Sequence, residues 1–289
     1  MKLLVFGKNG QVARCLRDEA SGVDLVALGS SDVDLMNPGA GRDAVLTHRP
    51  HFVVNAAAYT GVDQAETEKE AARRLNADAP GELASAAAET GARFIHLSTD
   101  YVFNGEADAP YAEEHQTAPL NAYGATKLAG ETAVMAAAPD AVILRTSWVV
   151  SEYGRNFAKT MLRLARDKHA LRIVGDQIGG PTPARDIARA LLTIMGKLSR
   201  GAPGSGLYHY QGAPAVSWAQ FATAIFEAAG LSVEVETIST ADYPTPARRP
   251  LYTVLNCGRI ERHFGLGQPD WRVRLQQLVA SASAGVEAP

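Results

Sequence analysis

Apolar residues in the first half of the chain come in short blocks, separated by longer amphipathic or alanine-rich stretches. Leu3 to Phe6, Val23 to Leu28, Phe52 to Asn55, Phe94 to Leu97 and Ala141 to Leu144 are short and largely apolar. Such runs, bounded by glycine or polar residues, predict parallel strands buried on both faces. Between them, Gln11 to Ala20, Ala40 to His48, Ala65 to Glu89 and Asn121 to Ala138 are rich in helix-forming residues, with Pro119 near the start of the last. Strand and helix alternate, which predicts an α/β fold: a doubly wound, Rossmann-type parallel sheet with helices on both faces.

The texture changes after Arg145. Glycine and proline gather at Gly175 to Pro183, at Gly201 to Gly206 and at Tyr243 to Pro250. Helical stretches lie between them, at Asn156 to Asp167, Ala184 to Leu198 and Ser217 to Ala229. The division expected is a dinucleotide-binding domain over residues 1–147 and a smaller, mainly substrate-binding lobe over 148–289. The helix at 184–198 is expected to return to the first. Ser281 to Pro289 reads as a frayed tail of small residues.

Composition narrows the partners. The 289 residues are 46% hydrophobic and 20% charged, with a net charge of -3, and no basic cluster suggests nucleic acid. No apolar stretch reaches membrane-spanning length, and Met1 to Phe6 is too short for a signal peptide. Cys15 and Cys257 are far apart, which fits a reduced, cytoplasmic protein better than a disulfide framework.

Gly7, Gly10 and Ala13 fall between the first strand and the first helix. The first glycine permits a tight turn, the second lets backbone approach a pyrophosphate, and the small third residue lets helix pack on strand. The second strand ends in Leu28-Gly29-Ser30-Ser31, with no acid to bind a ribose 2′-hydroxyl and no arginine to grip a 2′-phosphate. Tolerance of both NADH and NADPH is expected. Asp34 and Leu35 are placed to border the adenine. The third strand ends in Asn55-Ala56-Ala57-Ala58-Tyr59, small residues that suit close approach by a coenzyme.

Tyr123 and Lys127 stand one helical turn apart on one face. An ammonium so close would favour the phenolate and make Tyr123 a proton donor near neutral pH. Thr99 follows the fourth strand, at the carboxyl end where open α/β sheets bind ligands. The three groups can converge on one carbonyl.

These residues resemble the extended short-chain dehydrogenase/reductase superfamily, and within it the dTDP-4-dehydrorhamnose reductase family. The resemblance rests on Gly7-x-x-Gly10-Gln11-Val12, Asn55-Ala-Ala-Ala-Tyr59-Thr60 and Leu97-Ser-Thr-Asp-Tyr-Val-Phe103. It continues in Tyr123-Gly-x-x-Lys127, Arg145-Thr-Ser-Trp-Val149, Asn156-Phe157, Arg249-Pro250 and Pro269-Asp-Trp271. It implies reduction of a nucleotide-linked 4-keto sugar, in nucleotide-sugar and cell-surface polysaccharide synthesis. Thr99, Tyr123 and Lys127 would be the catalytic triad, and Gln11 and Val12 would join the coenzyme site. Thr99, Asp100, Trp148, Asn156 and Arg249 would contact substrate, while Trp218 and Trp271 read as structural.

Some family members bind Mg2+ at a dimer interface through glutamates. The matching positions here fall near Cys15 and Arg185, so no metal is expected, and the protein could be monomer or homodimer. The alternatives are another sugar-nucleotide reductase, dehydratase or epimerase, or a non-catalytic subunit on this fold. Asp100 is followed by Tyr101 rather than by the second acid common in dehydratases.

Overall fold

Each strand of the first half buries alternate residues on opposite faces of one sheet, and two separate cores result. The computed structural model describes residues 1–284. Strands β1 (Lys2–Phe6), β2 (Asp24–Leu28), β3 (Phe52–Asn55), β4 (Arg93–Thr99) and β5 (Val142–Thr146) alternate with helices α1 (Gln11–Glu19), α2 (Ala40–His48), α3 (Lys69–Arg73), α4 (Ala79–Thr90) and α5 (Ala122–Ala137). Leu3 and Val5 face the core that contains Val12 and Leu16 of α1. Leu4 and Phe6 face the core that contains Val45 of α2 and Leu83 of α4.

The second half supplies β6 (Val149–Val150), α6 (Phe157–Leu164), β7 (Ala170–Val174), β8 (Ile178–Gly179), β9 (Thr182–Pro183) and α7 (Ala184–Ser199). It continues with β10 (Gly206–His209), β11 (Val216–Ser217), α8 (Trp218–Ala228), β12 (Glu234–Ile238), α9 (Gly258–Phe264) and α10 (Trp271–Ala284). The main sheet has the order β10-β5-β4-β3-β1-β2, and its registers are all parallel. Ile187, Leu191 and Ile194 of α7 share the core of α1, as do Ile260 and Phe264 of α9. A third core, with Met161 of α6, Ile173 of β7, Phe221 and Ile225 of α8 and Leu275 of α10, makes the smaller lobe.

Three elements differ from the sequence reading. The expected helix at Ala65 to Glu89 is broken: a 3-10 turn covers Gln64–Glu66, and a π turn at Arg74–Asp78 joins α3 to α4. Asn76, within the π turn, accepts the Tyr59 N–H at 2.8 Å and donates to the Tyr59 carbonyl at 3.1 Å. The bulge thus pins the loop after β3, a use such bulges often have near functional sites. Strand β10 was not expected in the Gly206 region; it adds a sixth strand beside β5. Ser281 to Ala284 close α10 rather than fray, and the remainder of the expected tail, 285–289, lies outside the described residues. No helix among the described residues is long and apolar enough to cross a membrane.

The strand order reverses between β1 and β3. Ligands of doubly wound sheets bind at the carboxyl ends of the strands beside such a reversal.

Candidate active site

Gly7 closes β1 with φ +96, and a Cβ there would stand 2.7 Å from the Ala56 carbonyl carbon and from the Ala57 nitrogen. Only glycine tolerates both that backbone conformation and that contact. Gly10 is the N-cap of α1, whose first amides face outward. Together with Ala56, Ala57, Ala58 and Thr60 they line a cavity of about 380 Å³, which Asp34 and Leu35 border on the far side. An apolar wall, a glycine turn and a helix N-terminus are the donor set a dinucleotide requires, so the residues fit NADH or NADPH.

Three expected coenzyme residues are employed otherwise. The Tyr59 side chain is turned toward Glu68, its hydroxyl donating to Oε2 at 2.8 Å. Val12 is buried in the core under α1. Gln11 donates to the Val149 carbonyl at 3.1 Å and accepts from Ser151 and Asn156, so its side chain ties the glycine turn to the second lobe.

The tip of β2 also needs correction. Asp32 folds back, accepting the Gly29 N–H at 2.9 Å and pairing with Lys8 at 3.1 Å. Both lower its carboxyl, the Gly29 N–H more than Lys8. The tip therefore carries one charge of each sign. The sequence missed this because Asp32 lies beyond the strand end and Lys8 is inside the glycine turn. Asp32→Asn frees Lys8. Ordinary hydrogen bonds to charged groups contribute about 1.5–3 kcal/mol. The ratio of kcat/KM for NADPH over NADH is expected to rise roughly tenfold or more, and an unchanged ratio would show that Lys8 does not meet the 2′ position.

Helix α5 brings Tyr123 to Thr99. Asn121 caps it, accepting the Gly124 N–H at 2.8 Å, and its NH2 donates to the Arg248 carbonyl at 2.8 Å. Gly124 is required by close approach: a Cβ would stand 2.1 Å from the Tyr101 carbonyl oxygen. The helix start thereby rests on the turn after β4, and the Tyr101 and Tyr123 rings meet edge to face with centroids 5.9 Å apart.

Burial pushes the Tyr123 phenol up to about 12; a hydrogen bond with Thr99 opposes the shift and the Asp100 charge adds to it. The expected depression by Lys127 is not what this structure shows. Lys127 is 2% exposed, and its Nζ points at β4, donating to the Leu97 carbonyl at 2.7 Å and standing 3.2 Å from His96 Nε2. Burial lowers Lys127 to about 8, against a pull upward from Glu131.

Asp100 is 2% exposed. Its Oδ1 accepts from the Thr99 hydroxyl at 3.0 Å, while Oδ2 makes no well-formed hydrogen bond among the described residues, the Thr253 hydroxyl standing near enough only to favour the charge. Burial raises its carboxyl to about 7, opposed by the hydroxyls of Thr253 and Thr99. A buried, half-satisfied carboxyl beside the Thr99–Tyr123 pair is a ready partner for a ligand hydroxyl.

A second cavity, of about 680 Å³, opens beside Tyr101 and is lined by Asp63, Phe157, Arg172, Gln177, Trp218 and Arg249 among others. Arg249 is held by Asp63 in a two-point ion pair of 2.9 and 2.8 Å. Trp148 has φ 42, rare for a residue with a side chain. It stacks on Trp218 with centroids 3.4 Å apart; Trp218, read as structural, lines the cavity, whereas Trp148, expected to contact substrate, is not in its lining. Trp271 is buried against Phe221. Asn156 is not brought to this cavity: it caps α6, accepting the Lys159 N–H at 3.1 Å, and donates to Gln11. The sequence did not single out Tyr101, Phe157, Gln177 or Arg172 as ligand-facing. Their shared signal, aromatic and polar residues interleaved around α6 and β7, appears only once those elements are packed.

A family model described as RmlD substrate binding domain matches residues 1–284. A dTDP-4-dehydrorhamnose reductase of Sinorhizobium fredii is 45% identical, covering 96% of this chain and 97% of its own. The chain belongs to the dTDP-4-dehydrorhamnose reductase family. The family's solved structures share its architecture. One from Clostridium acetobutylicum superposes with a TM-score of 0.92 at 36% identity, covering 97% of this chain and 99% of its own. Another, from Bacillus anthracis and in complex with NADP, has a TM-score of 0.89 at 35% identity, covering 96% and 98%.

The positions that matched family metal ligands are differently occupied. Cys15 is buried, and burial pushes its thiol up to about 12. Arg185 forms ion pairs with Asp18, Glu19 and Glu152.

Proposed function

We propose that this protein reduces the C4 carbonyl of dTDP-4-dehydro-L-rhamnose to give dTDP-L-rhamnose, as a cytoplasmic NAD(P)H-dependent oxidoreductase of nucleotide-sugar synthesis. The observation that carries the reading is the meeting of Thr99, Asp100 and Tyr123 at the carboxyl end of β4, next to Tyr101, which lines the larger cavity. Membership of a family of reductases supports the same conclusion. Residues 1–147, with α7, α9 and β10, would hold the coenzyme, and the remainder would hold the sugar nucleotide.

Gly7, Gly10, Asp34, Leu35, Ala56 and Ala57 would hold the coenzyme, which when bound supplies the hydride. Thr99 orients the substrate carbonyl oxygen by hydrogen bonding. Tyr123 gives its phenolic proton to that oxygen as negative charge develops there. A phenol held high by burial is protonated at neutral pH and so carries the proton to be given. Lys127, whose Nζ donates to the Leu97 carbonyl, would turn a remaining N–H to the coenzyme ribose when the coenzyme is bound. Asp100 accepts a sugar hydroxyl through its free oxygen. Arg249 and Arg172, beside the aromatic faces of Trp218 and Phe157, suit a nucleoside diphosphate, where a cation meets phosphate and a base stacks.

No metal takes part in this reading. Divalent hard cations require gathered oxygen ligands, and the carboxylates nearest the relevant positions are already engaged by Arg185. Treatment with EDTA is expected to leave turnover unchanged; loss of activity on chelation, restored by Mg2+, would contradict it. The direct test of substrate is turnover of a panel of nucleotide-linked 4-keto sugars, with the dTDP-linked 6-deoxy sugar expected to give the highest kcat/KM.

A further inference from the structure

Beneath Lys127 lies a polar chain that the proposed reaction does not use. His96 on β4 is 0% exposed and Asn55, at the end of β3, is 1% exposed. Asn55 Oδ1 accepts the Ala57 N–H at 3.1 Å. Its NH2 therefore faces His96, with Nδ2 3.1 Å from Nδ1. A carboxamide NH2 only donates, so Nδ1 must be the accepting nitrogen, and the neutral imidazole carries its proton on Nε2. That nitrogen lies 3.2 Å from Lys127 Nζ. An ammonium has three donors and no lone pair, so it cannot accept this N–H; an amine can.

We infer that Asn55 and His96 are positioning residues that set the proton balance on Lys127 by turning an N–H, rather than a lone pair, toward its Nζ. Burial holds the imidazole well below its ordinary value, so the ring stays neutral. Neither hydrogen-bond partner of Nζ is a carboxylate. Other groups act from the neighbouring elements. Glu131 on α5 pulls Lys127 upward, but Arg145 on β5 and Ser98 on β4 occupy its oxygens. Tyr123 lies one turn earlier on the same helix, and Asp100 follows β4. Burial of Lys127 is what brings it down to about 8, and the N–H of His96 acts in the same direction, so the lysine exchanges its proton near neutral pH while keeping N–H donors for a ligand. Reversing the polarity should reverse this. An Asp in place of Asn55 keeps the acceptor for Ala57 but accepts a hydrogen bond from Nδ1, which draws the ring proton from Nε2 to Nδ1 and leaves Nε2 as an acceptor for an ammonium. A carboxylate fixing the imidazole tautomer in this way is familiar from catalytic triads.

The inference rests on Lys127 belonging to the reducing site, but its tests read the coenzyme-free protein and need no turnover. Nitrogen-15 NMR of histidine-labelled protein is expected to show His96 protonated on Nε2 and bare on Nδ1. The opposite tautomer would overturn the inference even if no variant folds. Titration of the Lys127 side chain by carbon-13 NMR should show its midpoint rising by about one pH unit or more, a tenfold gain in proton affinity, in Asn55→Asp. An unchanged or lowered midpoint would overturn it.

Discussion

Tyr123→Phe should lose roughly 10²–10⁴-fold in kcat, the usual range for a positioned general acid, while coenzyme affinity changes little. Phenylalanine keeps the ring that meets Tyr101 edge to face, so packing on the turn after β4 survives. The hydroxyl alone disappears, and with it the hydrogen bond to Thr99 that opposes the effect of burial. Steady-state kinetics with NADPH, paired with coenzyme titration by fluorescence, would separate the two effects. Turnover near the wild-type value would remove Tyr123 from the role of acid. A large loss of coenzyme affinity would mean that the phenol serves binding instead.

The second large effect concerns stability. Arg145 is 3% exposed and grips Glu131 through two bonds, Nε to Oε1 at 2.8 Å and an outer nitrogen to Oε2 at 2.6 Å. The Ser98 hydroxyl donates to the same carboxylate at 2.5 Å. This pair clamps α5, which carries Tyr123 and Lys127, to β4 and β5. Arg145→Met leaves the carboxylate buried without its cation, which typically costs about 3–5 kcal/mol. Replacing both partners by apolar residues of similar volume is often neutral. The double variant Arg145→Met with Glu131→Leu should therefore recover most of the loss. Urea unfolding of the three proteins would check this. A single variant within about 1 kcal/mol of wild type would mean that the clamp contributes little.

Strands β1, β3, β4 and β5 were legible because each is a short, largely apolar run buried on both faces, whereas β2, a half-buried edge strand, was legible from its apolar run alone. Strand β10 was not, because it is a brief edge strand with only two apolar residues between Gly206 and His209. The helix expected across Ala65 to Glu89 is rich in alanine, glutamate and leucine, but Pro80, which lacks an N–H, sits in the first turn of α4 and marks a new helix start that the composition alone passed over. The π turn before it also holds Asn76 against the backbone of Tyr59, a contact distant in sequence that propensity cannot register. The fold class itself followed from alternation, and the structure has that class.

The site divides along the same line. Gly7 was readable because its backbone conformation and its contact with Ala56 admit only glycine. The placement of Thr99 at the end of β4 and of Tyr123 at the start of α5 was readable from strand end and helix order. Asp32 and Lys8 were missed because a carboxylate can fold back several residues to a strand tip. Asn156 drew attention as part of a motif, yet its side chain caps α6, a local role that a motif does not separate from ligand contact. The electrostatic effect of Lys127 on Tyr123 was inferred from spacing alone. Spacing places both on one face, but it does not say where Nζ points, and here it points into β4.

The central claim is best tested by mixing the purified protein with dTDP-4-dehydro-L-rhamnose and NADPH, following coenzyme absorbance and identifying the sugar nucleotide by NMR. Stoichiometric oxidation of NADPH with formation of dTDP-L-rhamnose is the expected result. A protein that consumes no coenzyme, or that converts the substrate by epimerisation or loss of water with no net oxidation of NADPH, would contradict it.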